Sequence, residues 1–249
     1  MKTRCDLSVF GRFNFDYQPV GVKFLLAKPD GLERLNKKAA FCQMLREAQD
    51  GGAFYTTKDE HECKVGPILL GMDKPDPVFE SGMIGPKLGV YEDARANRRI
   101  YDKMSRLAEG SVNYVAFAPL PRLSFDPDLL IVTARPSQAE IVLRAAGYKT
   151  GAGWNARGTT VAGCAWLYMH PYIHGEVNMM VTGLHHGMKA RNLFPEGLLL
   201  LSLPFDVLPG LVDSLNTMEW ELPQYRSTPE EHAARMKRIA AEVRRELEK

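Results

Sequence analysis

Residues 41–71 read FCQMLREAQDGGAFYTTKDEHECKVGPILLG and gather two of the chain's four cysteines, with one of its six histidines, around a Gly51-Gly52 break. Ala39, Ala40, Cys42, Leu45 and Ala48 recur at helical spacing, which puts their side chains on one face and predicts a helix that stops at the two glycines. Phe54, Tyr55, Thr56 and Thr57 then form a β-prone run, and His61-Glu62-Cys63 opens a second apolar segment that ends in Leu69-Leu70-Gly71. A helix, a glycine turn and a strand in so short a span let Cys42 and Cys63 face each other. They also set the fold class: α/β, or mixed α+β, with a central mixed sheet covered by helices.

Outward from this stretch the same alternation continues. Upstream, Pro19 to Leu26 (PVGVKFLL) is β-branched and apolar, bounded by Pro19 and by the turn residues Lys28-Pro29-Asp30-Gly31, and reads as a buried strand. Leu7, Val9, Phe10, Phe13 and Phe15 ahead of it are packing residues, with Cys5 close to the terminus. Downstream, residues 92–107 read as a helix with Ala96, Ile100, Met104 and Leu107 on one face and a basic, solvated face opposite. Strands are expected at 112–119, 128–134, 176–182 and 198–203, and helices at 136–146 and 205–215. For the helix at 136–146, Ser137 and Glu140 suggest a capping box. Residues 169–175 (MHPYIHG) are expected to be irregular because of their Pro and Gly. The clearest helix is the C-terminal one. Thr228 caps it, Pro229 starts it, Glu231 completes the box, and Ala233, Met236, Ile239, Ala240, Val243 and Leu247 form its apolar stripe. The reading is a single domain over 1–249, any sub-division falling near 110–150.

A chain of 249 residues, 45% of them hydrophobic, buries a sizeable core, and a net charge of +2 gives no field to attract nucleic acid or an anionic membrane surface. Its longest apolar run, Gly197 to Pro204, is too short to span a bilayer, and the N-terminal residues lack a signal-peptide core, so a cytoplasmic protein is expected. Four cysteines at wide, unequal spacings do not form a disulfide framework; they remain thiols that pack, bind metal or react.

The runs PVGVKFL, FCQMLREAQDGG and LLG, followed by GCAWLYMHPYIHGEVNMMVTG and LLLLSLP, resemble the domain-of-unknown-function family 169, over roughly Pro19 to Leu215. The resemblance implies no established activity. It does imply cysteines at Cys42, Cys63 and Cys164, with more in a loop preceding an arginine, placed here on His185-His186-Gly187-Met188-Lys189. There this chain has histidines and a methionine instead.

Three chemistries follow. Thiolates and neutral imidazole are good ligands for zinc and for iron in iron–sulfur clusters, and Cys42, Cys63, Cys164 and His185 would supply a three-thiolate, one-imidazole set. Alternatively Cys63, just ahead of an apolar helical segment and two residues from His61, acts as a nucleophile with an imidazolium at its side. In the third, a non-catalytic module, Arg135 at a helix start and the loop ending in Lys189 receive a small anionic ligand. The expected partner is thus a metal or a small molecule. No GxGxxG, Walker loop, HExxH or GxSxG pattern supports a nucleotide, zincin or hydrolase assignment.

Overall fold

The computed structural model describes residues 5–75 and 77–249. It divides into two compact units, Met1–Asn216 and Thr217–Lys249.

In the first unit, seven strands among the described residues make one mixed sheet in the order β2-β3-β4-β1-β5-β7-β6, where β1 is Val20–Leu25, β2 Glu33–Arg34, β3 Phe54–Thr56, β4 Tyr114–Pro119, β5 Leu129–Ala134, β6 Asn178–Val181 and β7 Leu199–Pro204. All neighbours run antiparallel except β2 and β3. The predicted strand at Pro19 to Leu26 is β1, central in the sheet, with Val22 paired to Phe117 on one side and Leu129 on the other. Strand alternation sends Val20, Val22, Phe24, Val115, Phe117, Leu129 and Ile131 into one apolar cluster. Helix α1, Phe41–Gln49, packs there on β1 and β4. Its last residue is pinned to β5, where the buried Gln49 amide donates to Thr133 Oγ1 at 2.8 Å. The opposite face receives α6, Pro136–Gly147, against β5 and β7.

Short helices fill the connections: α2 (Val65–Leu69), α3 (Pro77–Glu80), α4 (Ile84–Lys87), α5 (Ala94–Lys103), α7 (His170–His174), α8 (His186–Ala190) and α9 (Leu208–Thr217). Two details depart from the sequence reading. The segment expected to be irregular is helical: a π-helical turn, Ala165–Met169, runs directly into α7. Pro171 is tolerated because Leu167 O, the carbonyl that its missing N–H would serve in an α-helix, takes a hydrogen bond from Ser202 Oγ instead, and Gly175 (φ +65°) closes the helix in the left-handed conformation. At α6 the cap is not Ser137 with Glu140. Gln138 Oε1 accepts the Arg135 N–H at 2.9 Å.

The π turn is held from the sheet. Its wide spiral frees carbonyls that an α-helix would use, and two buried side chains take them: Asn178 Nδ2 donates to Trp166 O at 2.8 Å and Ser202 Oγ to Leu167 O at 2.6 Å. Asn178 also accepts the Arg157 N–H at 2.9 Å and donates to Arg157 O at 3.1 Å, fastening the loop before Cys164.

In the second unit α10, Pro229–Leu247, starts with the expected box, Glu231 N–H donating to Thr228 Oγ1 at 3.2 Å and Thr228 N–H to Glu231 Oε2 at 2.9 Å. Among the described residues no helix is long and apolar enough to cross a membrane.

Asn178→Leu keeps the volume but leaves the buried Trp166 carbonyl and the part-buried Arg157 amide without partners, so we expect a loss of about 2 kcal/mol in urea denaturation. A loss no larger than that of an exposed control such as Asn113→Leu would show that the π turn does not depend on this side chain.

Candidate functional site

A cavity of about 490 Å³ opens where the start of α1, α2, the helices α3 to α5, the loop 161–164 and α8 meet. Its walls are mostly apolar: Ala40, Phe41, Val65, Phe79, Ile84, Leu88 and Met188. Phe79 stacks on Tyr101 with ring centroids 4.0 Å apart, and Tyr101 OH accepts a hydrogen bond from the buried Asn97 amide at 3.1 Å. Into this apolar surround project Cys42, Cys63, Cys164, His185 and His186, with Arg191 beside them. The four residues singled out as metal ligands therefore share one cavity, brought together from four segments.

Two of them are neighbours: the nearby Cys164 thiol is the main reason the Cys42 thiol is held below its ordinary value despite burial. The Arg191 guanidinium and the backbone N–H groups of Cys42 and Gln43, at the first turn of α1, act in the same direction. Cys164 is pushed the other way, well up, by donating to Cys42, by burial, and by the charges of Cys42 and Cys63. Arg191 is partly buried, bonded to Gly187 O at 3.1 Å, and among the described residues no carboxylate pairs with it. Cys164 opens the π turn, and just before it Ala162 holds φ +55°, a left-handed conformation rare for a residue with a Cβ. Uncommon backbone of both kinds concentrates at functional sites.

The histidines divide. His185 is buried, its Nδ1 2.8 Å from Thr159 O, and burial keeps its pKa below the usual range, so the ring is neutral with the Nδ1 proton on the carbonyl. Gly158 and Gly163 frame the ring: a Cβ on Gly163 would stand 3.2 Å from the His185 Cγ. His61 lies outside the cavity wall, against Phe41 (centroids 5.5 Å) and so near Gly66 that a Cβ there would meet Nδ1 at 2.7 Å. Both ring nitrogens are buried without partners, and desolvation lowers its pKa to about 4. It is thus neutral at pH 7, not the imidazolium expected beside Cys63. Cys63 itself precedes α2 without occupying its first turn. The helix start that was sought for Cys63 belongs to Cys42.

Arg135 and Lys189, the residues expected to receive an anion, do not line the cavity. Arg135 makes a bidentate pair with Asp16, and Lys189 an ion pair with Glu196 at 2.7 Å. Sequence reasoning missed Arg191, although the resemblance set an arginine after the His185 loop, and missed Tyr101 because the basic face of its helix drew attention away. As the side chains stand, no group of three or more His, Cys, Asp or Glu among the described residues is poised to hold one metal ion.

Because folded His61 stays neutral down to about pH 4 while the unfolded residue takes a proton near its usual 6.5, the unfolded state binds more protons between those values. Stability therefore falls as pH drops through that window, by about 3 kcal/mol from this residue. His61→Leu should remove that portion: its urea midpoint, compared with the parent protein from pH 7 to pH 4, should gain steadily on it. Parallel curves would place the acid sensitivity elsewhere.

The uncharacterised protein MJ0308 of Methanocaldococcus jannaschii is 26% identical over 203 residues, which span 79% of this chain and 85% of that protein. No solved structure matches the chain. The family-level match is to the domain of unknown function 169, described as uncharacterised ArCR, and since it covers residues 12–214 the chain belongs to that family.

Proposed function

We propose that this protein handles a small, largely apolar molecule through the thiolate of Cys42, either holding it or reacting with it. The observation that carries this reading is that Cys42 and Cys164 line one apolar cavity of about 490 Å³, a size suited to a compact organic ligand. Arg191 supplies the positive charge next to the sulfurs, a role first assigned to Arg135 and Lys189. Cys42 replaces Cys63 as the nucleophile, since it has the helix N–H groups, the thiol donor and the cation that a reactive thiolate needs. Thiols without a disulfide suit a reducing compartment, and the cytoplasm is the proposed location.

At neutral pH a common thiol is only a few per cent ionised, so Cys42 should be alkylated by iodoacetamide about tenfold faster than Cys63. Arg191→Met should narrow that ratio. Peptide mapping after partial alkylation measures it, and equal labelling of Cys42 and Cys63 would remove the thiolate from the reading.

A second reading is supported by the common cavity of Cys42, Cys63, Cys164 and His185: a zinc or iron–sulfur centre on three thiolates and one imidazole. It requires the side chains to close around the metal. Metal and sulfide analysis of anaerobically purified protein tests it. About one metal site per chain is expected, lost in Cys63→Ser and reduced in His185→Ala more than in His186→Ala. Metal-free and sulfide-free protein, or content unaffected by Cys63→Ser, would leave the thiol reading alone.

A further inference from the structure

We propose that the cavity binds a small monocarboxylic acid with an apolar body, its carboxylate held by the Arg191 guanidinium. This deepens the reading above by naming the class of the ligand, and it rests on the cavity of that reading, not on the ionisation of any cysteine.

Arg191 is a permanent charge on an apolar wall, and nothing in the chain neutralises it. Its Nη1 donates to Gly187 O at 3.1 Å, one turn back along α8, and its other N–H groups make no hydrogen bond or ion pair among the described residues. Lys189, two residues away, is paired with Glu196 outside the cavity, whereas none of the described residues that line the cavity is Asp or Glu. Lys64, the other permanently charged residue of the wall, is exposed to solvent, while Arg191 is half-buried. Water solvates a half-buried guanidinium poorly, so an anion brought to it is held more strongly than at an open surface.

The kind of anion follows from the count of charges and donors. One half-buried cation matches one negative charge, and the planar fork of a guanidinium matches the two oxygens of a carboxylate. A phosphate dianion would leave a second charge uncompensated beside apolar walls. His186 stands on the same wall with no hydrogen bond to its ring among the described residues, and either neutral tautomer has one N–H to donate to the second oxygen.

The rest of the wall takes a hydrocarbon. Phe41, Val65, Phe79, Ile84 and Leu88 surround the space, and Tyr101 stacks behind Phe79 with centroids 4.0 Å apart. Leu88 and Val78 line the cavity and are still 49% and 64% exposed, apolar surface that a ligand's body would take out of water. The volume, about 490 Å³, lies within the range of pockets that hold small organic ligands. A wall containing Phe41 and Phe79 suits a ligand with an aromatic ring.

The test is calorimetric titration of the full chain, reduced, with phenylbutyrate and with phenylbutanol, which has the same body without the charge. We expect a Kd on the order of 100 µM for the acid, about tenfold tighter than the alcohol. Phenylpropionate, one methylene shorter, should bind about fourfold more weakly than phenylbutyrate. Arg191→Met should bring the acid to within about twofold of the alcohol, and Arg135→Met, whose guanidinium lies outside the cavity, should leave acid binding as it is. At about four times its Kd the acid should slow alkylation of Cys63, on the cavity wall, about fivefold in peptide maps. Equal affinities for acid and alcohol, full affinity for the acid in folded Arg191→Met, or unchanged alkylation of Cys63 would overturn the proposal. If Arg191→Met does not fold, the comparison of acid with alcohol and the protection of Cys63, both in the parent protein, decide it. Iodoacetamide selectivity for Cys42 in protein that does not bind the acid would remove the acid and keep the thiol-dependent reading; acid binding without that selectivity would keep the ligand and remove the thiolate.

Discussion

The site depends on one ring contact. Phe41 and Tyr168, both wholly buried, stack with centroids 4.1 Å apart and an interplanar angle of 25°, and the Tyr168 hydroxyl reaches back toward Phe41 O at 3.4 Å. The neighbours of these rings in sequence are the two cysteines of the candidate site: Cys42 follows Phe41, and Cys164 opens the turn that carries Tyr168. An aromatic contact of this kind adds about 1 kcal/mol to the burial of its two rings. Phe117 from β4 meets Phe41 edge-on at 6.0 Å, so the stack is referenced to the sheet. The thiols lie together because their apolar neighbours pack, while Asn178 and Ser202 hold the wider π spiral that points Cys164 toward α1.

Within that frame the charge of Cys42 is a contest between burial and polar contacts. Burial opposes ionisation. A helix N-terminus contributes about 1 kcal/mol in favour of an anion, less than one pKa unit, and would not overcome burial by itself. The thiol of Cys164 tips the balance, which explains why the two sulfurs shift in opposite directions. Tyr168 reports the same field: its pKa is driven well up by burial and then by the neighbouring sulfurs.

Much of the sheet was legible because its strands obey simple rules. Pro19 to Leu26 and 198–203 are apolar runs closed by proline or turn residues, 112–119 alternates and ends at proline, and each became a largely buried strand. Helices with strong end signals, such as that starting at Thr228-Pro229, were equally clear. What failed was the weighting of isolated breakers. Pro171 and Gly175 suggested a loop, but Gly175 only ends the helix, and the carbonyl that Pro171 leaves unbonded is taken by Ser202. Asn97 and Asn178, wholly buried, gave no periodic signal at all, since an amide that satisfies distant backbone is invisible to a pattern of apolar spacings.

The residues of the candidate site were found by type, and the roles of two of them were not. Proximity of His61 to Cys63 in sequence suggested a pair, yet the chain turns the imidazole into an apolar niche under Phe41 and Gly66, where charging it is costly. The start of α1 escaped notice for a related reason. Ala40 offers no side-chain oxygen to cap the helix, so no Ser, Thr, Asp or Asn marks its first turn. The Gln43 side chain accepts the Ala40 N–H at 2.8 Å, which is half of a capping box, and the Gln43 N–H that a hydroxyl or carboxylate usually takes donates instead to Ala40 O at 2.8 Å. The first turn is thus satisfied by groups that leave no cap residue in the sequence, which is why spacing alone did not mark where α1 begins.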